Sequence, residues 1–259
     1  MKKIVNRVLW ISSLLIVLVL LIWTNIEQAN SHCSDIKVQM TSGGEASLVS
    51  PDAIRSDILE NMPALIGQSF KNVALEDLEK HVSANTQLSE VKTYLNLNGL
   101  INIKVSPRKA ILRLYDDRGE NLYLGSEKVL MNPSLTQSKR IMVANGHIPH
   151  LMPAEKIQVL NKEKDLPEIY SQLYVLAEKI HEDAFLDALI DQIYVTKHQE
   201  LILTPKVGVR KIFFGKAKNI DEKLFNLKAF YLHGKSKIDW QKYSSINIKY
   251  RNQIVCSKK

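Results

Sequence analysis

The chain has 259 residues, 45% of them apolar and 24% charged, with a formal net charge of +8. Beyond an apolar N-terminal stretch it leaves about 230 residues, enough for two modest cores, and it shows no internal repeat or low-complexity tract. The positive charge is uneven: from Lys206 onward there are 14 Lys or Arg against Asp221, Glu222 and Asp239, whereas residues 27 to 205 carry 18 basic and 24 acidic residues. Such asymmetry reads either as a solvated lysine face or as a surface that attracts nucleic acid, membrane or an acidic protein.

In chain order, Val8 to Trp23 is apolar apart from Ser12 and Ser13, and Thr24, Asn25 and Ile26 extend it. A helix of that length just crosses a bilayer core, which needs about 20 residues. Lys2, Lys3 and Arg7 precede it, while Glu27 and Asp35 follow. Residues 1–7 are therefore expected to be a cytoplasmic tail, 8–26 a single-pass anchor, and the chain from the 27–34 linker onward to lie outside the cytoplasm. A cleaved signal peptide fits poorly, because a cut after Ala29 puts Glu27 where a small side chain is required. Asn30, Ser31 and His32 before Cys33 also lack the aliphatic and small residues of lipoprotein processing. Nucleic acid is not an expected partner in that compartment.

Ile36, Val38 and Met40 alternate on one face and predict a strand over 35–40. Ser50 before Pro51 is a helix start, continued by Ile54, Ile58 and Leu59, and the helix breaks over Asn61 to Gly67. A second helix is predicted from Leu75 to Val82, then strands at Leu88 to Leu97 and Leu100 to Val105 joined by the hairpin signal Asn98-Gly99. The order strand, helix, helix, strand, strand makes a first domain over 35–108.

A second domain is expected over 109–256, with 257–259 as a tail. Ile111 to Tyr115 and Leu122 to Leu124 flank the turn Asp116-Asp117-Arg118-Gly119. Ile141, Met142 and Val143 read as a short strand, and a helix follows Pro167 with Ile169, Leu173, Leu176 and Ile180 on one face. Strands are predicted at Ile193 to Thr196, Leu201 to Pro205 and Val209 to Phe214, and a helix at Asp221 to Phe230. The chain carries no Gly-x-Ser-x-Gly, His-Glu-x-x-His, Cys-x-x-Cys or phosphate-cradling glycine loop. His147 and His150 read as surface histidines, Asp116-Asp117 as turn residues, and Asp183, Asp187 and Asp191 as the solvated face of a continuing helix. No enzyme activity, cofactor, metal or small-molecule substrate is expected.

From Ser244 to Cys256 the apolar residues Ile246, Ile248 and Tyr250 alternate with Asn247, Lys249 and Arg251, predicting one half-buried strand. Nothing after it is expected to cover its outer edge, so it is a place for a second protein to add a strand. Tyr231, Trp240, Tyr243 and Tyr250 are either core or interface aromatics; Trp240 is assigned to the core and Tyr250 to the interface. Cys33 and Cys256 permit one intramolecular disulfide, chemically allowed outside the cytoplasm.

Three segments carry a resemblance: Val91-Lys92-Thr93-Tyr94 through Asn98-Gly99 to Ile103-Lys104-Val105; Tyr115-Asp116-Asp117-Arg118-Gly119; and Ser245-Ile246-Asn247-Ile248-Lys249-Tyr250. With the order of parts, they resemble the bacterial cell-division family of FtsQ and DivIB, and the ending Asn252 to Cys256 is similar to Bacteroidetes versions. The chain departs from the family at Arg108-Lys109-Ala110-Ile111, which lacks a proline, at Gly125 to Lys128, and before Trp240, where a glycine is missing. The resemblance implies an α+β chain: one transmembrane helix, a polypeptide-transport-associated (POTRA) domain, and a mixed α/β "β domain" with a terminal edge strand. It implies a scaffold of the division machinery at the septum, in the inner membrane, linking early division components to septal peptidoglycan synthesis. Its partners would be FtsB-like and FtsL-like bitopic proteins, taken up by strand addition at Ile246, Ile248, Lys249, Tyr250, Arg251 and Gln253. The alternative is an envelope-assembly or secretion adaptor that binds extended polypeptide through its POTRA domain.

Overall fold

Capping chemistry sets the first elements. The computed structural model of the chain describes residues 10–20, 32–41, 48–69, 72–96, 98–133, 140–151, 158–159, 166–234, 242–251 and 253–259. Ser50 Oγ accepts from Ala53 N and Pro51 fills the first helical position, so helix α1 (Pro51–Asn61) starts where the sequence caps it. Helix α2 (Leu75–Ser83) buries Leu78 and Val82. Strands β1 (Asp35–Met40), β2 (Leu88–Leu95) and β3 (Leu100–Pro107) form a sheet in the order β1-β3-β2, with β1 parallel to β3. The β2–β3 connection turns at Gly99, where φ is +87° and an added Cβ would lie 2.6 Å from His32 O, so the position takes glycine alone. This is the expected strand, helix, helix, strand, strand order.

The second compact unit runs from Pro107 and also takes in residues 48–49 and 84–89. Its strands are β4 (Ala110–Tyr115), β5 (Asn121–Gly125), β6 (Val129–Met131), β7 (Val143–Gly146), β8 (Gln158–Val159), β9 (Ile190–Val195), β10 (Leu201–Pro205), β11 (Lys211–Gly215), β12 (Tyr243–Asn247) and β13 (Val255–Lys258). They form one sheet in the order β13-β12-β11-β10-β9-β7-β4-β5-β6-β8. Helices α3 (Glu168–Glu182), α4 (Ala184–Leu189) and α5 (Ile220–Gly234) pack on it through Leu173, Leu176, Ile180, Leu186, Leu189, Leu224 and Leu227, all buried with Leu112, Leu114, Ile193, Leu203, Ile212 and Phe214 of the strands. A smaller cluster of Leu48, Ala110, Tyr123, Val129 and Met131 completes the unit.

Three expectations need correction, and the disulfide that the two cysteines permit is not formed. Ser244 to Cys256 is not one strand: the ladder of β12 ends at Asn247, the chain turns through Tyr250 and Arg251, and β13 returns antiparallel with Asn247 opposite Val255 and Ile246 opposite Cys256. The residues expected to leave the closing strand uncovered therefore cover it, and the terminal edge belongs to β13. The Asp183, Asp187 and Asp191 series is not one helix face, because Asp183 stops α3 and caps α4 by accepting from Phe185 N and Leu186 N, while Asp191 lies on β9. Cys33 and Cys256 are both free. Cys33 is buried in the first unit with its sulfur 3.9 Å from Asp35 O, and Cys256 packs against the core of the second, so each thiol is accommodated within its own unit. His150 is not a surface histidine: its ring is packed against Asp116.

Of the expected anchor, residues 10–20 are helical and exposed, and the rest lies outside the described residues. Among the described residues no helix is long and apolar enough to cross a membrane.

Candidate functional site

The β12–β13 hairpin and its flank collect the residues singled out at the chain's end. Ile246 and Ile248 are buried in the sheet–helix core, and Ile248 N donates to Phe213 O at 3.0 Å, continuing the β11–β12 alignment one residue past the ladder. Asn247 Oδ1 then accepts from Lys249 N at 3.0 Å, a local side-chain bond that competes with strand pairing and turns the chain. The turn presents Tyr250, 57% exposed, with Arg251 and Gln253 exposed beside it. Tyr231 is a core residue, Tyr243 is half-buried, and Trp240 lies outside the described residues.

Lys249 plays a different part from its neighbours. Its stem crosses Gly215, and its amine reaches Glu200 Oε2 at 2.5 Å and lies 5.9 Å from the centre of the Phe213 ring. The Lys249 amine beside Glu200 holds that carboxyl below its ordinary pKa. Lys223 on α5 donates to Phe214 O and Lys216 O, both at 2.9 Å, and burial lowers its pKa. Arg251 Nε stands 3.5 Å from Glu222. Together these groups line a polar depression of about 390 Å³ between α5 and the turn.

The edge itself follows from bond alternation. Lys259 N donates to Lys242 O and Arg210 N to Ser244 O, while Ile248 N faces β11. Ser244, Ile246 and Ile248 therefore address β11, and Ser245 and Asn247 address their partners Ser257 and Val255 on β13. Cys256, between those two, turns its N–H and C=O outward. Among the described residues no side chain bonds that backbone. The core is also unfinished here: Phe230, Tyr243, Ile254 and Cys256 are only partly buried against it, and Val255 is 45% exposed. A groove lined by Asn226, Ala229, Phe230, Gln253 and Ile254 runs along this flank. An open ladder beside half-covered apolar groups is the arrangement that accepts an added strand.

A second constellation escaped sequence reading. Asp116 Oδ1 accepts from Arg118 N and Glu120 N, its Oδ2 meets His150 Nδ1 at 2.5 Å, and Tyr170 OH donates to Pro149 O at 2.7 Å. Asp116 is 7% exposed at its side chain. Burial acts to raise its pKa, but the His150 ring and the two backbone N–H groups hold it below the ordinary carboxylate value. The pair ties the β4–β5 turn to the segment after β7. Only the order Asp-Asp-x-Gly hinted at the turn, and nothing in the sequence linked it to His150. Among the described residues no group of three or more His, Cys, Asp or Glu could hold a metal ion.

Compared with known proteins, residues 109–257 match the family model described as FtsQ/DivIB, C-terminal related, and residues 31–106 match that of a POTRA-like domain. No curated protein matches the chain.

Proposed function

We propose, for a chain that belongs to the FtsQ/DivIB family, a role as a division scaffold that takes up its partner as an added strand at β13. The family's domains are those of a division-associated scaffold that works through protein–protein interaction. The finer reading is a single-pass anchor in the inner membrane with the two described units outside the cytoplasm, joining FtsB-like and FtsL-like bitopic proteins at the septum. No chemistry is required of such a scaffold, and no cofactor enters the mechanism.

The observation that carries the reading is the outward backbone of Cys256 beside a half-covered core. Backbone bonds to Cys256 would supply affinity, and Tyr250, Arg251 and Gln253 at the turn would supply specificity. Ile246, Ile248 and Lys249 contribute from behind, holding the hairpin against β11 and Gly215. The test is co-purification of the full-length chain with its bitopic division partners, comparing wild type with Cys256→Pro. Proline at 256 removes the outward N–H together with the thiol's packing against the core, and leaves the backbone bonds of the β12 ladder intact. Loss of the partner with unchanged cooperative melting is expected; full retention overturns the reading. Ile248→Pro, which breaks the bond to Phe213 O, should instead disorder the hairpin itself.

A further inference from the structure

A three-stranded sheet in the order β1-β3-β2 has two edges, and unprotected edges pair with foreign strands. At each edge of the first unit the backbone of one outward residue, Ile36 on β1 and Thr93 on β2, is taken by side chains of this chain. On β1, Thr41 N donates to Val105 O, so alternation sends Thr41, Gln39 and Lys37 toward β3 and Ile36 outward. Ile36 N donates to Asp35 Oδ1 at 2.8 Å, and Ile36 O accepts from Arg55 Nε at 3.2 Å. Arg55 also meets Asp35 Oδ1 at 2.8 Å, so one ion pair closes both backbone groups. On β2, Asn96 N donates to Leu100 O, which places Thr93 outward. Thr93 N and Thr93 Oγ1 both donate to Glu79 Oε2 at 2.9 Å, and Thr93 Oγ1 also approaches Leu75 O at 3.3 Å.

We infer that the first unit is locked against strand addition at both edges by its own helices, α1 through Arg55 with Asp35 and α2 through Glu79. The Glu79 carboxylate sits where the carbonyl of an incoming extended polypeptide would accept from Thr93 N. A charged acceptor outcompetes a neutral carbonyl for that donor. Such a unit refuses the extended segments that an adaptor of the POTRA type would hold, and strand uptake is confined to the other unit. The inference is independent of the reading of β13, and either can fail without the other.

Amide exchange of the full-length chain in mild detergent, followed by mass spectrometry over residues 88–96, reads the lock directly. Thr93 should be protected in wild type and in Glu79→Gln, which keeps an acceptor oxygen, and exposed in Glu79→Ala. The matching binding probe is a fluorescent octapeptide with the sequence of β2, Leu-Ser-Glu-Val-Lys-Thr-Tyr-Leu, titrated by anisotropy. Glu79→Ala should bind it about tenfold or more tightly than wild type, the factor expected for removing a charge-assisted hydrogen bond. Rapid Thr93 exchange in wild type overturns the inference, as does a cooperatively melting Glu79→Ala with no gain in probe binding. Should Glu79→Ala not fold, Arg55→Ala with a probe of the β1 sequence, Asp-Ile-Lys-Val-Gln-Met, poses the same question at the other edge.

Discussion

Gly215 and Lys249 touch so closely that a Cβ added to Gly215 would lie 2.9 Å from Lys249 Cγ. Gly215 also holds φ at +77°, where an L side chain is strained. Gly215→Ala should therefore cost about 1–2 kcal/mol from the backbone alone, and more if Lys249 is pushed off the strand end. Urea denaturation gives the stability change. If Gly215→Ala unfolds like wild type, Lys249 does not seat the hairpin through this contact.

Lys249 contributes by its stem and by its charge, and the two can be separated. Lys249→Met keeps the stem over Gly215 and loses the pair with Glu200, so its cost should stay under about 1 kcal/mol, as for other part-exposed ion pairs. Lys249→Ala should cost more. A double-mutant cycle with Glu200→Gln isolates the ionic part, and a coupling well above that size would mean that burial strengthens the pair.

Asp183 combines a helix cap with an ion pair to Lys228 at 2.5 Å. The Lys228 amine, together with the N–H groups of Leu186 and Phe185, keeps its carboxyl below the ordinary pKa despite partial burial. Asp183→Ala should lose about 1–2 kcal/mol, and Asp183→Asn clearly less, because the amide oxygen still caps α4. Equal losses in thermal melts would assign the stability to the charge rather than to the cap.

Acid should loosen the tie between the β4–β5 turn and His150. A carboxyl whose folded pKa is depressed contributes stability above its unfolded value, about 4, and that stability is lost as pH falls through the folded value. Asp116→Asn removes the titration: the variant should be less stable at neutral pH and its acid limb shallower than that of wild type. Parallel stability–pH curves for the two proteins would show that Asp116 does not contribute to acid unfolding.

Local signals were legible where short-range chemistry decides the structure. Ser50-Pro51 starts α1, the apolar stripe of α3 matches its buried face, and Gly99 of the Asn98-Gly99 signal lies in the β2–β3 turn, although β2 ends at Leu95 and the turn closes from Asn96 rather than over two residues. The closing hairpin was not, because Ile246, Ile248 and Tyr250 keep a period of two across a point where Asn247 ends the ladder with its own side chain. β13 carries almost no apolar alternation, since it is an edge with little to bury. The short strand read at 141–143 lies instead at Val143–Gly146, where pairing with β4 and β9 sets the register. Edge closure by Arg55 and Glu79 depends on residues about twenty and fourteen positions from the strands they cap, a relation that no periodicity reports.

Four of the cations around the terminal hairpin are already engaged at home: Lys223 with two carbonyl groups, Lys228 with Asp183, Lys249 with Glu200, and Arg251 near Glu222. The field that a visiting acidic segment meets is thus shallower than the count of 14 basic against three acidic residues from Lys206 onward implies. Raising ionic strength should slow encounter only modestly. A complex held there would owe its lifetime to its backbone rungs and to the apolar fringe they cover, and would dissolve in urea far sooner than in salt.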